Sequence, residues 1–324
     1  MDIYVKKAII HQFSPDDTDL YLADKFLNIT PKIEEYLRKK IERVYSDEAR
    51  TGIFEEDNPF LEMVSDDLLE TSVTVANRWK EEFIVSENQK TNDLVFILFS
   101  KEGVDHFAFL RIALRETLTH LGGEVDNPIK LTQNNLPGFG TGADEALVIN
   151  LQSRKYHLIE KRIKYNGTFL NYFSENLLQV QPKISPKKSI KALEKTAQKI
   201  AESFNTDDFQ FQSKVKSAIF NHIEEENKLS PEKLADDLFD DNLTARLSFI
   251  DQVKEAVPEP VNFEEIDASR QLKKFENQKL SLSNGIELIV PNNVYEDAES
   301  VEFILNENGT YSILIKNIED IQSK

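Results

Sequence analysis

The clearest boundary in this sequence is a segment with two prolines, residues 181–189, where the hydrophobic periodicity changes. Before this segment, short runs rich in Phe, Val, Ile and Leu indicate strands. After it, apolar residues recur every three or four positions as far as about residue 256, which is typical of amphipathic helices. Alternating apolar residues return beyond residue 258. The pattern predicts an α+β protein.

The first part of the chain, residues 1–181, is predicted to be an N-terminal α+β domain with a mixed or antiparallel sheet and flanking helices. A helix is expected over residues 31–45, with Thr30 as its N-cap and Pro31 at its first position. Strands are expected over residues 3–10, 94–100, 106–112 and 146–160.

The second part is predicted to contain a helical middle segment, residues 182–257, and a C-terminal β-hairpin module, residues 258–324. Asn284-Gly285 and Asn308-Gly309 lie between alternating apolar residues, which is a strong signal for two hairpins with type I′ turns. Helices are expected over residues 190–204, 212–226, 231–239 and 244–256.

Positive charge is concentrated in one stretch of an acidic chain. The chain has 39 Lys and Arg against 57 Asp and Glu, a formal net charge of −18. Residues 154–199 carry eleven basic and three acidic side chains, so this stretch is +8 and the remainder is −26. Such an island can hold a polyanion at one place while the rest of the surface repels it. We therefore take its basic residues as candidate DNA contacts: Arg154, Lys155, Lys161, Arg162, Lys164, Lys183, Lys187, Lys188, Lys191, Lys195 and Lys199.

A lysine face is predicted on the first helix of the middle segment. Projected at about 100° per residue, Lys188, Lys191, Lys195 and Lys199 fall within an arc of about 80°, opposite the apolar residues. If Ser185 is the N-cap, Lys187 and Lys188 occupy the first turn, where the helix dipole disfavours cations and favours phosphate. The alternative is an ordinary solvated helix face.

The earlier basic residues are predicted to belong to the end of the strand over residues 146–160 and to the element after it. Alternation would place Arg154 and Arg162 on one face and Lys155 and Lys161 on the other. Pairing with the abundant carboxylates is an equally open interpretation for each of them. No zinc-finger, leucine-zipper or RNP motif occurs, so any DNA contact is expected to involve the backbone rather than base sequence.

Signals for catalysis and for cofactors are weak. Without cysteines the chain has no disulfide, thiol nucleophile or cysteine-bound metal. The glycine-rich residues 137–142 lack the Gly-Lys-Ser/Thr of a phosphate loop and predict a flexible turn. The histidines lack ligand spacing, and the aspartates near residues 236–241 indicate a solvated helix end. We predict no catalytic residue, metal ligand or cofactor; a nuclease site of scattered carboxylates remains a disfavoured alternative.

Read end to end, the chain resembles the bacterial 37-kDa nucleoid-associated protein family (the NdpA/YejK group). The resemblance implies a cytoplasmic protein located at the nucleoid and binding duplex DNA, and it transfers no catalytic residue. It is carried by Ala8-Ile9-Ile10-His11-Gln12, Val44-Tyr45-Ser46, Gly52-Ile53-Phe54, Tyr172-Phe173, Leu272-Lys273-Lys274-Phe275 and Gly285-Ile286.

Together these features predict a non-enzymatic nucleoid-associated protein that contacts duplex DNA. The alternative is an interaction module recruited to the nucleoid by a DNA-bound protein partner, with the lysine face serving an acidic protein surface, its own in a homodimer included. No signal peptide or membrane-spanning run is evident, so no membrane partner is expected.

Overall fold

The apolar runs of the first half form the centre of a seven-stranded antiparallel sheet. The computed structural model describes residues 2–16, 18–87, 89–120, 129–205 and 208–322. The chain divides into two compact units, Met1–Ser185 and Pro186–Lys324. The sheet belongs to the first unit and the helical region begins the second, which confirms the predicted α+β class.

The first unit contains eleven strands and three α-helices among its described residues. The strands are β1 (Ile3–Ser14), β2 (Asp19–Tyr21), β3 (Arg50–Ile53), β4 (Asn92–Lys101), β5 (Val104–Ala113), β6 (Arg115–His120), β7 (Ile129–Asn135), β8 (Glu145–Asn150), β9 (Lys155–Ile159), β10 (Ile163–Tyr165) and β11 (Thr168–Leu170). The helices are α1 (Pro31–Glu42), α2 (Pro59–Glu62) and α3 (Leu68–Phe83), with a 3-10 turn at Arg43–Tyr45 and a π-helical turn at Phe173–Leu177.

The large sheet has the strand order β2-β1-β4-β5-β8-β9-β3 and is covered on both faces. On one face, Leu37 and Ile41 of α1 pack with alternate residues of the central strands. On the other, Val75 and Trp79 of α3 pack with the residues between them. Because β4, β5 and β8 are buried on both sides, their central residues are apolar on both faces rather than alternating.

The predicted first helix is confirmed, including its start. The hydroxyl of Thr30 accepts a hydrogen bond from the Ile33 N–H at 3.4 Å, and Pro31 stands at the first helical position. The expected strands over 3–10, 94–100 and 106–112 are also confirmed by β1, β4 and β5.

The single long strand predicted over 146–160 is wrong, because the segment is a hairpin of β8 and β9. The Asn150 side chain accepts hydrogen bonds from the N–H groups of Gln152 and Ser153, at 3.0 and 2.8 Å, and so turns the chain. Arg154 then adopts a left-handed conformation with φ of 60°. It lies in the turn rather than on a strand face, and Lys161 and Arg162 lie between β9 and β10.

A charged network is buried between the sheet and α3. Arg111 of β5 stands directly opposite Glu145 of β8, with 2.7 Å between Nε and Oε2. The Arg111 guanidinium also donates to Asn92 at 2.9 Å. The Tyr172 hydroxyl donates to Glu145 and accepts from the Trp79 indole at 2.9 Å. Burial and the Glu145 carboxylate together raise the Tyr172 pKa well above its ordinary value.

The second unit contains six helices and six strands among its described residues. The helices are α4 (Pro186–Ser203), α5 (Phe209–Glu226), α6 (Pro231–Leu238), α7 (Leu243–Lys254), α8 (Ser269–Phe275) and α9 (Asn292–Tyr295). The strands are β12 (Lys228–Leu229), β13 (Val261–Asn262), β14 (Asn277–Ser281), β15 (Glu287–Pro291), β16 (Val301–Leu305) and β17 (Tyr311–Ile315).

The helices α4 to α7 confirm the predicted helical segment and surround one apolar core. Ile190 and Leu193 of α4 are buried there with Ile219 of α5, Leu234 of α6 and Phe249 of α7. The short pair β12–β13 and helix α8 border the same core, since Leu229, Val261 and Phe275 belong to it.

Both predicted hairpins form, as β14–β15 and β16–β17, but their turns are not of type I′. In the first, the Leu282 N–H bonds the Ile286 carbonyl at 2.8 Å and encloses three residues. Among the hairpin residues only Gly285 and Gly309 have a positive φ, 86° and 78°. This is the three-residue loop with glycine in the left-handed position, which needs one positive φ instead of two.

We predict that Arg111→Met destabilises the first unit by about 3–5 kcal/mol, because the buried Glu145 carboxylate loses its counter-ion. Trp79 is the chain's only tryptophan and is buried beside this network, so its fluorescence during urea unfolding reports on the first unit. The double variant Arg111→Met/Glu145→Leu should recover part of the loss. An unchanged urea midpoint for the single variant would refute the role of the pair.

A second prediction concerns His11, whose neutral ring is held on both sides. Nδ1 accepts from the Ala23 N–H at 3.0 Å, and Nε2 lies 2.9 Å from the Ser72 hydroxyl. Burial lowers its pKa from the ordinary 6.5, so the unfolded chain takes up this proton first as the pH falls. Stability contributed by His11 should be complete above pH 6.5 and decline below it, by up to about 1.4 kcal/mol per pH unit.

The measurement for His11 is the pH dependence of unfolding, followed by Trp79 fluorescence. The variant His11→Gln should give a flatter profile than wild type below about pH 6.5. His120→Gln, which changes an exposed histidine of the same unit, serves as the control for the loss of a histidine as such. Identical slopes for wild type and His11→Gln would contradict the prediction.

Candidate nucleic-acid interface

The eleven basic candidates are divided between the two units. Those of the first unit are Arg154, Lys155, Lys161, Arg162, Lys164 and Lys183. Those of the second unit all belong to α4 and are Lys187, Lys188, Lys191, Lys195 and Lys199. A continuous island in the sequence therefore corresponds to two sets of side chains with different surroundings.

Three cations of the first unit are neutralised by nearby carboxylates. Arg154 lies 3.0 Å from Glu56, Lys161 lies 2.6 Å from Asp144, and Lys164 lies 3.1 Å from Glu87. These pairs confirm the interpretation that some of the early basic residues serve the protein's own acids. Lys155 and Lys183 also have interactions within the protein, whereas exposed Arg162 has no ion pair in the described part of the chain.

Two of these carboxyl groups, those of Asp144 and Glu87, have pKa values below their usual range, so the pairing favours their ionised form. Burial raises the pKa of Asp144, but hydrogen bonds from Lys161 and from the Ala113 N–H outweigh burial and leave the pKa below its usual value. The pKa of Glu87 is lowered by the Gly167 N–H and then by Lys164. Cations paired in this way bind a phosphate less strongly, because they must first give up their carboxylate.

The α4 set is arranged as the sequence predicts, along one exposed helix face. Lys188, Lys191, Lys195 and Lys199 are exposed, while the apolar residues of the opposite face are buried. At about 1.5 Å per residue, the four lysines span about 16 Å. We call these four residues the lysine face.

Carboxylates do not neutralise the lysine face within the described residues. Lys199 donates to the neutral amide of Gln252 at 3.1 Å. Of the two acids of the same helix, Glu194 pairs with Lys274 at 3.4 Å, and Glu202 accepts from the Gln198 amide at 3.2 Å. For Lys188, Lys191 and Lys195 the described part of the chain supplies no ion pair or hydrogen bond. Their like charges repel one another at small cost, and their positive field is open to solvent.

The start of α4 adds to this field. The helix begins at Pro186, which has no N–H to leave unpaired, so Lys187 and Lys188 stand in its first turn. The N–H groups of a first turn carry partial positive charge, which disfavours cations there and favours anions. The lysine face therefore begins at a helix end whose dipole has the same sign as its side chains.

The glycine-rich loop, residues 137–142, surrounds a cation rather than an anion. The buried ammonium group of Lys40 donates to the carbonyls of Gly138, at 2.8 Å, and of Pro137 and Thr141. It also lies 4.5 Å from the ring centre of Tyr36. A phosphate loop needs converging N–H groups, whereas three carbonyl groups converge here. The loop is tied to α1 through Lys40.

Other chemically suggestive groups have structural partners. Asp236 and Asp240 pair with Arg246 and Lys214 at 2.9 and 3.0 Å, and Asp237 bonds His222 at 2.6 Å. Over the described ranges, no group of three or more His, Asp or Glu side chains is placed to hold a metal ion. In those same ranges, no helix combines the length and apolarity needed to cross a membrane.

We predict that Lys40→Met releases the loop over residues 137–142. Methionine keeps an apolar stem but loses the three bonds to carbonyl groups, so hydrogen exchange of the loop amides should accelerate. Lys39→Met, a change of the exposed neighbour that pairs with Glu42, is the matched control. Equal exchange in both variants would show that Lys40 does not hold the loop.

Comparison with known proteins identifies a family along almost the whole chain. A family model described as nucleoid-associated protein YejK matches residues 9–321. A search of curated proteins gives no match. The match confirms the resemblance noted in the sequence and agrees with the predicted nucleoid location.

Several residues that carry this resemblance have structural roles. Gly52 lies so close to the Tyr156 ring that a Cβ atom would overlap it. Phe54 packs on the same ring with 4.7 Å between centroids, Tyr172 belongs to the buried network, and Phe275 lies in the second unit's core. These residues supply packing and hydrogen bonds within the protein, so the resemblance they carry indicates a shared fold.

Proposed function

The chain belongs to the nucleoid-associated protein YejK family, and on that premise we propose that it is a non-enzymatic protein that contacts the backbone of duplex DNA. The lysine face of α4 is the proposed contact. The observation that carries the proposal is that these four exposed lysines have no carboxylate partner within the described residues, in a chain with a net charge of −18.

Geometry supports backbone contact rather than base recognition. Lysine is a flexible point charge that binds phosphate without a fixed orientation. A face about 16 Å long meets several phosphates, since duplex DNA carries one negative charge per about 1.7 Å of its axis. All four side chains of the lysine face are lysines, and the neighbouring Gln198 donates to Glu202 at 3.2 Å, so the paired hydrogen bonds by which arginine, asparagine or glutamine read base edges are not offered there. We therefore expect little sequence preference.

The acidic remainder of the chain limits how much DNA the protein covers. Outside residues 154–199 the net charge is −26, and this charge repels phosphate from other surfaces. The expected mode is a local contact and not wrapping. The six candidates of the first unit remain predictions as DNA contacts, and the three that are ion-paired would have to give up a carboxylate to bind phosphate.

Salt dependence tests the proposal directly. Each phosphate contact on duplex DNA contributes about −0.9 to the slope of log K against log salt, so four contacts contribute about −3.6. Between about 50 and 200 mM salt, affinity for a labelled duplex of about 30 base pairs should fall about a hundredfold. Fluorescence anisotropy of the duplex measures this.

We predict that the quadruple variant Lys188/Lys191/Lys195/Lys199→Gln loses most affinity at low salt and most of the slope. The matched control is Lys228/Lys254/Lys273/Lys279→Gln, which removes four exposed lysines of the same unit and gives the same net charge. Affinity equally reduced in both variants would show that only total charge matters. Wild-type affinity retained in the first variant would place the contact elsewhere.

The same assay decides between direct contact and recruitment. If wild-type protein does not bind the duplex at about 50 mM salt, the protein reaches the nucleoid through a DNA-bound partner, and the lysine face serves a protein. Association into a homodimer also remains a prediction. Cleavage of a plasmid in the presence of magnesium would overturn the non-enzymatic assignment.

A further inference from the structure

Part of the second unit has the topology of a helix-turn-helix followed by a strand. Helix α5 leads into β12, then α6 and α7 come next along the chain, and β13 returns to pair antiparallel with β12. Four residues join α6 and α7. The Asn242 side chain caps α7 by accepting from the Ala245 N–H at 3.0 Å. In DNA-binding proteins of this design, the second helix enters the major groove.

The exposed side of α7 does not suit a DNA groove. Its two outward leucines, Leu243 and Leu247, are 59 % and 53 % exposed. They stand four residues apart and so lie side by side on the helix. The two basic residues of α7 are engaged: Arg246 lies 2.9 Å from Asp236, and Lys254 lies 4.0 Å from Asp251. The first two turns of the outward side are thus apolar where a DNA-reading helix is polar or basic, and the exposed cation further along this side, Lys254, is next to Asp251.

Exposed carboxylates lie at both ends of α7. Asp240 and Asp241 precede the helix, and Asp251 and Glu255 are exposed on and just after it. Of these, Asp240 pairs with Lys214 and Asp251 is near Lys254. Within the described residues, Asp241 and Glu255 have no ion pair. The two ends of this surface therefore carry negative charge, which repels phosphate and attracts a cationic partner.

The apolar–acidic surface is separate from the lysine face. On α7, Gln252 is the residue that meets Lys199 of α4. It is five residues from Leu247, which places the two side chains about 140° apart around the helix. The side of α7 that contacts α4 and the side that exposes the leucines are therefore different, and a protein bound at the leucines need not cover the lysines.

We propose that the exposed side of α7 is a docking surface for a basic amphipathic helix of a partner protein. Leu243 and Leu247 supply the apolar contact, and Asp241 and Glu255 meet Lys or Arg side chains that flank the partner's apolar stripe. Helix recognition of this kind depends on apolar anchors at i and i+4 spacing. Charge complementarity selects a basic partner over an acidic one and over DNA.

The test uses the full chain and a synthetic helical peptide of about 18 residues, with leucine on one face and lysine on the other. Two further peptides test the positive charge and the helical spacing separately. One has glutamate in place of lysine, and the other has the same composition without the helical period. Binding is measured by anisotropy of the labelled peptide at about 150 mM salt, where long-range charge effects are screened.

We expect the lysine–leucine peptide to bind wild type and to bind Leu243→Ser/Leu247→Ser at least tenfold more weakly. The control Ile289→Ser/Leu305→Ser, which changes two exposed apolar residues of the hairpins, should bind like wild type. The glutamate peptide should not bind. The conservative variant Asp241→Asn/Glu255→Gln should weaken binding less and make it less sensitive to salt.

Three results would overturn the proposal. The first is equal affinity of the peptide for the leucine variant and the hairpin control, since binding would then follow net charge alone. The second is equal affinity for the peptide without helical period. The third is no binding to wild type. Circular dichroism of each variant checks that the helices are intact. Affinity for duplex DNA, which we assign to the lysine face, should remain that of wild type in the leucine variant.

Discussion

The first unit depends on one buried ion pair, that between Arg111 and Glu145. The two residues face each other across β5 and β8, in the part of the sheet that is covered on both sides. A shift of either strand by one residue would turn its charged group to the other face, away from its partner. We therefore expect the pair to select the observed register, since the apolar runs of these strands would tolerate slippage. Through Tyr172 and Trp79 it also fixes α3 on the sheet.

The two parts of the basic island, residues 154–183 and 187–199, differ mainly in how many of their cations are ion-paired. In the first unit, Lys161 and Lys164 meet carboxylates that lie 17 and 77 residues away in the sequence. In the second unit, Glu194 is drawn to Lys274 on α8, and the lysine face keeps its charge. An acidic protein can therefore present one strongly cationic helix, because its carboxylates are engaged or placed elsewhere. This difference results from tertiary contacts. They pair three cations of the first unit with carboxylates and leave the lysine face without an ion pair among the described residues.

Local signals predicted much of the fold, and non-local pairing accounts for the parts they missed. Caps such as Thr30 and the apolar stripe of α4 depend on neighbouring residues, so these helices were predictable. The turn at Arg154 was missed because the segment lacks glycine and proline and its apolar alternation continues past the turn; Asn150, whose side chain makes that turn, was the available signal. The lysine face was predictable as a pattern. Its lack of ion pairs was not, since that depends on where the Glu194 and Glu202 side chains turn.

The second unit places two surfaces of opposite character on one small core. Phe249 and Val253 of α7 pack in the same core as Leu193 and Ala197 of α4. One side of each helix is thus buried in the core, and the other side is exposed. The exposed side is cationic on α4 and apolar with acidic ends on α7. Because the outward side of α7 is unsuited to DNA, we assign the proposed DNA contact to α4. With DNA on α4 and a basic helix on α7, as we propose, the unit would join a DNA backbone to a basic protein through two different sides of one core.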